Sequence, residues 1–166
     1  GVSMERLWTP WRMEYILSEK SGQCIFCDML EAGDDRSCYI LHRGQRAFVV
    51  LNRYPYNNGH LMVVPYEHVA SLEDLDEKTL SELMQLVNKG MAALRETMNP
   101  HGFNIGANLG KAAGAGVDDH VHIHVVPRWE GDTNFMTVLA RIRMVPEMLD
   151  QTCSRLGAAF KESSDE

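Results

Sequence analysis

Histidines and β-branched residues alternate through residues 120–125, and this alternation constrains the fold more than any other stretch of the chain. A two-residue period is that of a β-strand, whose successive side chains point to opposite faces. The pattern predicts an apolar face and an imidazole face, formed by Val121, Ile123 and Val125 on one side and by His120, His122 and His124 on the other. A plain solvated face would carry Thr, Lys or Glu, so the row of imidazoles indicates a site that binds or attacks a ligand.

Length and charge narrow the classes of function. The chain has 166 residues, the length of one domain that buries most of its surface, and a net charge of −7 at pH 7. This charge argues against nucleic acid or an anionic membrane as a partner, so an anionic substrate has to be attracted by local donors. No apolar run approaches the roughly 18 residues of a membrane span, and no basic-then-apolar leader opens the chain. We therefore expect a cytoplasmic protein.

The hydrophobic pattern predicts an α+β domain with one mainly antiparallel sheet of about five strands, since short linkers favour antiparallel neighbours. The expected strands are residues 38–42, 47–52, 61–64, 102–108 and the stretch that begins at 120, with a further short strand at 136–144.

Two helices are expected to accompany the sheet. An apolar stripe of helical period predicts a long helix over 76–98 that packs on the sheet; its members are Leu80, Leu83, Met84, Val87, Met91, Leu94 and Met98. Residues 146–160 predict a C-terminal helix with Pro146 near its start. The chain then divides into an N-terminal arm at 1–20, one domain at 21–160 and a flexible tail at 161–166.

Cys24 and Cys27 have the spacing of half a zinc site. Alone this spacing is only moderately specific, and two reduced cysteines in a core are the alternative. The chain has four cysteines, which fit a reducing compartment with a metal site better than a disulfide framework. Any remaining ligands have to come from elsewhere in the fold.

Small residues dominate 110–116, directly before the imidazole row. Such a loop lets backbone N–H groups approach an anion without side chains in the way. It lacks the Gly-Lys-Ser/Thr ending of a Walker loop. The signal is weak by itself, but beside three histidines it indicates a phosphate-binding loop.

Four segments together resemble a known family. His-x-His-x-His followed by two apolar residues resembles the signature of the histidine triad family of nucleotide hydrolases and transferases. Residues 52–60 resemble the segment that in the fragile histidine triad branch carries a ribose-binding Asn and a supporting His. Residues 7–13 and 128–135 are similar to bacterial diadenosine tetraphosphate phosphorylases and their relatives. The resemblance extends from about Cys24 to Trp129.

The resemblance implies roles for the histidines. His122 would attack an α-phosphoryl group and form a nucleotidyl-histidine, which divides one hard displacement into two easier ones. His124 would contact the phosphoryl oxygens near the leaving group. The backbone carbonyl of His120 would orient the His122 ring, and His60 would support the triad from the neighbouring strand. Imidazole is a nucleophile when it is neutral, and its ordinary pKa near ~6.5 leaves much of it neutral at cell pH.

The resemblance also implies the contacts to substrate. Asn52 would hold ribose hydroxyls and Asn108 would bond phosphate near the scissile link, while loop amides would stabilise the phosphoryl charge; those amides belong to the segment that includes Gly114, Gly116 and Val117. Many relatives have Gln, Ser or Thr just before the triad, whereas this chain has residues 116–119 as Gly-Val-Asp-Asp. A hydroxyl or amide contact to the leaving group is therefore missing, and the substrate stays open among dinucleoside polyphosphates and related nucleoside phosphates.

Zinc-carrying members of the family use a His in a Pro-x-x-His turn and the first His of the triad. This chain has both, as His68 and His120, so the resemblance implies a structural Cys2His2 zinc site completed by Cys24 and Cys27. A closed four-ligand site suits a structural role. The resemblance further implies a homodimer with a two-fold axis.

Several alternatives stay open at this point. A phosphorylase would use inorganic phosphate as the acceptor, and a non-catalytic nucleotide-binding protein would keep the fold alone. Three histidines on a strand are also a pattern of catalytic metal sites. Arg128 has two interpretations, a phosphate contact or a structural salt bridge, and Trp129 is either a packing residue or a platform for a base.

Overall fold

The structure, a computed structural model, describes residues 24–132 and 147–162. Three helices lie in these ranges, α1 (Ile25–Ala32), α2 (Glu77–Met98) and α3 (Leu149–Glu162), together with five strands, β1 (Ile40–Arg43), β2 (Ala47–Leu51), β3 (Leu61–Pro65), β4 (Gly102–Gly106) and β5 (Ile123–Arg128). The arm predicted at 1–20 and the strand predicted at 136–144 lie outside the described residues. The division into arm, domain and tail therefore stays a prediction.

The five strands form one sheet in the order β1-β2-β3-β5-β4, and every neighbouring pair is antiparallel. The predicted α+β class with a mainly antiparallel five-stranded sheet is confirmed. β5 lies between β3 and β4, and Met62 of β3 pairs with His124. The interior position of β5 brings the loop before β3 next to the histidine row.

The strand that carries the histidines begins later than predicted. Its ladder with β3 starts only at Ile123, although β3 itself continues two residues beyond their last pair, to Pro65. Val121 donates instead to the backbone oxygen of Val69 at 2.7 Å, so the extended alternation continues upstream of the strand. The predicted strand at 102–108 likewise ends early, at Gly106.

The long helix matches its prediction closely. α2 covers 77–98, and Asp76 caps its start by accepting a hydrogen bond from the Thr79 amide at 2.7 Å. The predicted apolar stripe is only partly buried, since Leu80 is 36% exposed and Met84 is 50% exposed. No helix in the described ranges is both long enough and apolar enough to cross a membrane.

The sheet separates two apolar clusters. One face packs against α2 and α3 and contains the residues that the alternation predicted to be apolar, namely Val121, Ile123 and Val125. The other face carries Phe48, Val50 and Met62 and packs against Phe26 of α1. The imidazoles of the row at 120–124 also lie on this second face, where α1 packs against the sheet.

Candidate active site and metal-ligand cluster

The imidazole row forms as the alternation predicted. His120 and His122 are buried and His124 is half-buried, with the ring centroids of His122 and His124 4.8 Å apart. Phe26 of α1 packs against the first two rings at centroid distances of 5.3 and 5.0 Å. Burial lowers the pKa of all three imidazoles, and that of His124, which also faces His122, falls to about 4. The three rings are therefore neutral at neutral pH.

One hydrogen bond determines which nitrogen of His122 is reactive. Nδ1 of His122 lies 2.9 Å from the backbone oxygen of His120. A carbonyl oxygen only accepts, so Nδ1 carries the hydrogen and Nε2 carries the lone pair. A buried neutral imidazole with a defined lone pair is the form in which histidine acts as a nucleophile.

A series of hydrogen bonds determines which nitrogen of His124 carries the proton. The backbone N–H of Tyr56 donates to Nδ1 of the fully buried His60 at 3.1 Å, so His60 carries its own hydrogen on Nε2. That nitrogen donates to Nδ1 of His124 at 2.8 Å. His124, neutral in its buried position, then carries its hydrogen on Nε2. His124 is a hydrogen-bond donor, whereas His122 presents a lone pair.

Sequence reasoning brought His60 into the site but missed Tyr56. The Tyr56 ring stacks on His60 with a centroid distance of 5.1 Å and an interplanar angle of 16°. The decisive group is its backbone amide, which no sequence pattern reveals. The nearby Asn52 lies beside His60, with Nδ2 3.4 Å from Nδ1 of His60 and Oδ1 accepting from the Tyr54 amide at 2.9 Å.

The predicted phosphate loop lies beside the same row. Gly106 at the end of β4 pairs with His124, so the half-buried Asn108 follows just beyond the triad. Val117 packs in the cluster of Phe26, which contacts His122. Gly114 has a φ of +86°, a conformation that favours glycine, and its amide donates to Lys111 within the loop at 3.0 Å. Gly114 thus shapes the turn with an amide already used there, while Gly116 is exposed.

Four predicted metal ligands meet at one place. Cys24, Cys27, His68 and His120 each offer one ligand atom, and these atoms all lie within 4.8 Å of one another. Nδ1 of His120 lies 3.2 Å from Sγ of Cys24 and 3.8 Å from Sγ of Cys27, and it lies 3.3 Å from Nδ1 of His68. Tetrahedral zinc with ordinary Zn–S and Zn–N bonds separates its ligand atoms by about 3.3–3.8 Å. The donor set and its spacing fit such an ion.

The outer contacts of the two histidines agree with a ligand role. Nε2 of His120 donates to the backbone oxygen of Pro65 at 2.9 Å, which leaves the lone pair of Nδ1 directed at the cluster. Nε2 of His68 lies 3.6 Å from a carboxylate oxygen of Asp119. Metal-binding histidines commonly have a carbonyl or carboxylate on their second nitrogen. His122 is separate from this cluster, which argues against a catalytic metal bound by the whole row.

Of the two interpretations of Arg128, the structure supports the salt bridge. Its Nε and Nη2 donate to the two carboxylate oxygens of Asp132 at 2.6 and 2.8 Å, and its Nη1 donates to Asn104 at 2.7 Å. Trp129 packs towards α2, where its Nε1 donates to the Met98 oxygen at 3.4 Å. Both residues therefore have structural contacts at the end of β5.

Comparison with known proteins identifies the family. A family model described as the HIT domain matches residues 36–131, more than half of the chain. The chain belongs to the HIT family. The AP-4-A phosphorylase of Mycobacterium tuberculosis is 41% identical over 90% of this chain and 80% of that protein. The adenosine 5′-monophosphoramidase of Schizosaccharomyces pombe is 30% identical over 63% of this chain and 74% of that protein.

A solved HIT structure agrees with the fold. The Zn-bound histidine triad family protein from Mycobacterium smegmatis has a TM-score of 0.71 and 29% identity, and the match covers 88% of this chain and 99% of that one. The resemblance read from the histidine row is confirmed. This HIT protein is an enzyme of the nucleotide hydrolase and transferase class, so the non-catalytic alternative is not supported.

Proposed function

We propose that this HIT protein cleaves the α-phosphate linkage of dinucleoside polyphosphates, or of related nucleoside phosphates, through a covalent nucleotidyl-His122 intermediate. The observation that carries the proposal is the 2.9 Å hydrogen bond from Nδ1 of His122 to the His120 carbonyl, which leaves Nε2 as a free lone pair. A neutral, oriented nucleophile is what attack on phosphorus requires.

The reaction takes two steps. In the first, a bond forms between Nε2 of His122 and the α-phosphorus, while the bond from that phosphorus to the bridging oxygen breaks and the leaving phosphate chain keeps the electron pair. Nε2–H of His124 donates a hydrogen bond to the leaving oxygen, where negative charge develops. In the second step water or phosphate attacks the same phosphorus, the P–N bond breaks, and its electron pair returns to Nε2 of His122. When water is the acceptor, the proton that it loses passes to solvent.

Other residues of the site bind the substrate in this proposal. Asn52, which lies beside His60, holds the ribose hydroxyls. Asn108 contacts the phosphate near the scissile bond, and the backbone of the loop that contains Gly116 and Val117 lies along the phosphate chain. The position of Val117 in the cluster of Phe26, next to His122, supports this arrangement.

Trapping the intermediate tests the proposal. The enzyme is mixed with a dinucleoside polyphosphate labelled at the α-phosphate and quenched in alkali, because a phosphorus–nitrogen bond to histidine is labile in acid. We expect an added nucleotidyl mass on the peptide that contains His122. Turnover without a label on that peptide would overturn the assignment.

A phosphorylase is the second candidate for the acceptor step. The AP-4-A phosphorylase of M. tuberculosis, 41% identical to this chain, favours it. Diadenosine tetraphosphate incubated with the enzyme distinguishes the two acceptors. Formation of ADP that depends on added inorganic phosphate indicates a phosphorylase, whereas AMP formed without phosphate indicates a hydrolase.

We further propose that Cys24, Cys27, His68 and His120 hold a structural zinc ion. These residues would hold the ion between the start of α1, the turn after β3 and the histidine row, where it would stabilise the fold and supply no step of the reaction. The ligand spacing in this chain and the Zn-bound relative from M. smegmatis support the proposal. Metal content of the purified protein, measured by mass spectrometry, is expected to be close to one zinc per chain.

A homodimer completes the proposal. β4 is an edge strand of the described sheet, and the side chains of Ile105 and, just after the strand, Leu109 are 45% and 41% exposed. Apolar groups at a sheet edge favour pairing with a second chain. Sedimentation equilibrium is expected to give twice the mass of the chain. The cytoplasmic location stays a prediction.

A further inference from the structure

Asp132, four residues beyond the end of β5, is the centre of a hydrogen-bonded cluster that the proposed reaction does not use. Its carboxylate accepts from Arg128 at 2.6 and 2.8 Å, from Asn57 Nδ2 at 2.8 Å and from the Trp129 amide at 3.2 Å. Its side chain is only 13% exposed. The bonds from Arg128, more than the others, hold the pKa of Asp132 well below its usual range. Asp132 is therefore a rigid, charged anchor.

Asn57 connects this anchor to the loop before β3. The Nδ2 group of Asn57 also lies 3.0 Å from the backbone oxygen of Pro127, so it bonds to β5 as well as to Asp132. The backbone oxygen of Asn57 accepts from the His60 amide at 3.2 Å. The side chain thus docks the loop on β5, while the main chain of the same residue holds His60.

The next link is the main chain from Asn57 back to Tyr56, whose N–H belongs to the peptide group on its N-terminal side. The Tyr56 amide donates to Nδ1 of His60, and the Tyr56 ring stacks on the same imidazole. A residue that is docked on one side and bonded to its neighbour on the other limits the movement of both. The contacts run without interruption from Asp132 through Asn57 and Tyr56 to His60 and on to His124.

We propose that Asp132 and Asn57 are positioning residues for phosphoryl transfer, which keep the Tyr56 amide on His60 and so keep the proton of His124 on its outer nitrogen. The inference rests on the proposed function, because it concerns the donor to the leaving oxygen. If the Tyr56 amide moves away, Nδ1 of His60 loses its shorter hydrogen bond and retains the longer 3.4 Å contact with Nδ2 of Asn52. The tautomer with hydrogen on Nδ1, which accepts through Nε2, then becomes more populated. His124 then donates inwards through Nδ1, and its outer nitrogen becomes a lone pair that repels the leaving oxygen.

Two variants and one matched control separate this role from ordinary stabilisation. Asn57→Ala removes the link, and Asp132→Asn removes the charge of the anchor with little change of shape. Asp35→Asn is the control, because Asp35 forms a comparable two-pronged pair with Arg43, at 3.0 and 2.8 Å, on the far edge strand of the sheet. Thermal unfolding of all three confirms that the samples compared are folded.

The nitrogen-15 chemical shifts of the imidazole rings, measured by NMR without any substrate, show which tautomer each ring adopts. In the unsubstituted protein and in Asp35→Asn we expect both His60 and His124 to carry hydrogen on Nε2. In Asn57→Ala and Asp132→Asn the shifts of both nitrogens of each ring are expected to move towards an average of the two tautomers. Unchanged ring shifts in both folded variants would overturn the inference, whatever the activity of the enzyme.

The dependence of kcat on the leaving group measures the consequence for catalysis. A hydrogen bond to the leaving oxygen matters more when more charge develops on that oxygen, so phenyl and 4-nitrophenyl esters of AMP are compared. For Asn57→Ala we expect kcat on the phenyl ester to fall on the order of tenfold, with a clearly smaller loss on the 4-nitrophenyl ester and little change in KM. Equal losses on both esters would contradict the inference. An unsubstituted enzyme that forms no nucleotidyl-histidine would instead contradict the proposed function.

Discussion

The His122 ring donates from Nδ1 to the backbone oxygen of His120 at 2.9 Å, and the side chain of that same His120 lies in the metal-ligand cluster. One residue therefore joins the proposed nucleophile to the proposed zinc site. Its backbone orients the reactive ring, while its side chain bonds to the Pro65 oxygen and contacts Cys24, the N-cap residue of α1. Loss of the cluster is expected to affect the nucleophile even though the metal takes no part in the reaction.

Removal of the nucleophile is the most direct test of the site. We expect His122→Gly to lower kcat on the order of 10⁴-fold or more, because the covalent route is lost. Nucleotide binding, measured by calorimetry with a non-cleavable analogue, is expected to persist, since in the proposed mechanism His122 contacts only the reacting phosphorus. His42→Asn is the control, because His42 stacks on Phe160 against α3. Undiminished turnover in the His122 variant would refute the proposed mechanism.

Loss of one metal ligand is expected to lower both metal content and stability. Cys27→Ser removes a ligand whose Sγ lies 3.5 Å from Nδ1 of His68. Zinc content should fall to near zero, and the Tm should fall by about 5 °C or more, since binding free energy of a structural metal is also folding free energy. Cys38→Ser changes a cysteine outside the cluster and should retain the metal. Equal zinc content in the two variants would rule out the proposed ligand set.

The buried His124 should make the free energy of unfolding depend on pH. Its pKa falls from an ordinary value of 6.5 to about 4 through burial beside His122. The unfolded chain therefore binds the proton more readily between these values, so this contribution to stability is complete above about pH 6.5 and is lost as the pH falls towards 4. The rings that face His124 are those of His122, His60 and Tyr56.

Substitution of His124 should flatten that dependence. In urea titrations between pH 4 and 7, the loss of stability on acidification should be smaller for His124→Asn, by on the order of 2 kcal/mol. His101→Asn, at an exposed position, serves as the control for the loss of an imidazole. Identical slopes for His124→Asn and the unsubstituted protein would show that His124 is not held neutral by burial.

Gly59 should resist substitution for two separable reasons. Its φ is +78°, and an added Cβ would lie 2.7 Å from Sδ of Met98 and 2.9 Å from Cδ2 of Leu94. Gly59→Ala is expected to cost about 2–4 kcal/mol, from backbone strain and from overpacking against α2. Gly33 has a φ of +66° with no atom within 4 Å of the added Cβ, so Gly33→Ala should cost only about 1–2 kcal/mol. Urea unfolding measures the free energy of unfolding of both variants. Equal losses in the two would exclude the packing contribution at Gly59.

Local sequence patterns were sufficient to predict most of the fold. The alternation at 120–125 correctly separated the apolar from the imidazole face, and the apolar stripe located α2 to within one residue at its start. Ends of strands were predicted less accurately, because the Val121 amide bonds to the Val69 oxygen and not to β3, a partner that no local pattern shows. The stripe also contains Leu80 and Met84, which stay exposed, since helical period alone does not show how wide a face the sheet covers.

The sequence by itself determined the chemistry available to this protein: three histidines on one face, a pair of cysteines, and a loop of small residues beside them. Tertiary structure alone decided what each imidazole does. The tautomers of His122 and His124 depend on a carbonyl two residues away and on the Tyr56 amide across the sheet, and the anchor formed by Asp132 and Asn57 joins residues 75 positions apart. Backbone N–H and C=O groups are the same in every residue type except proline, so their partners become defined only when the strands are in register.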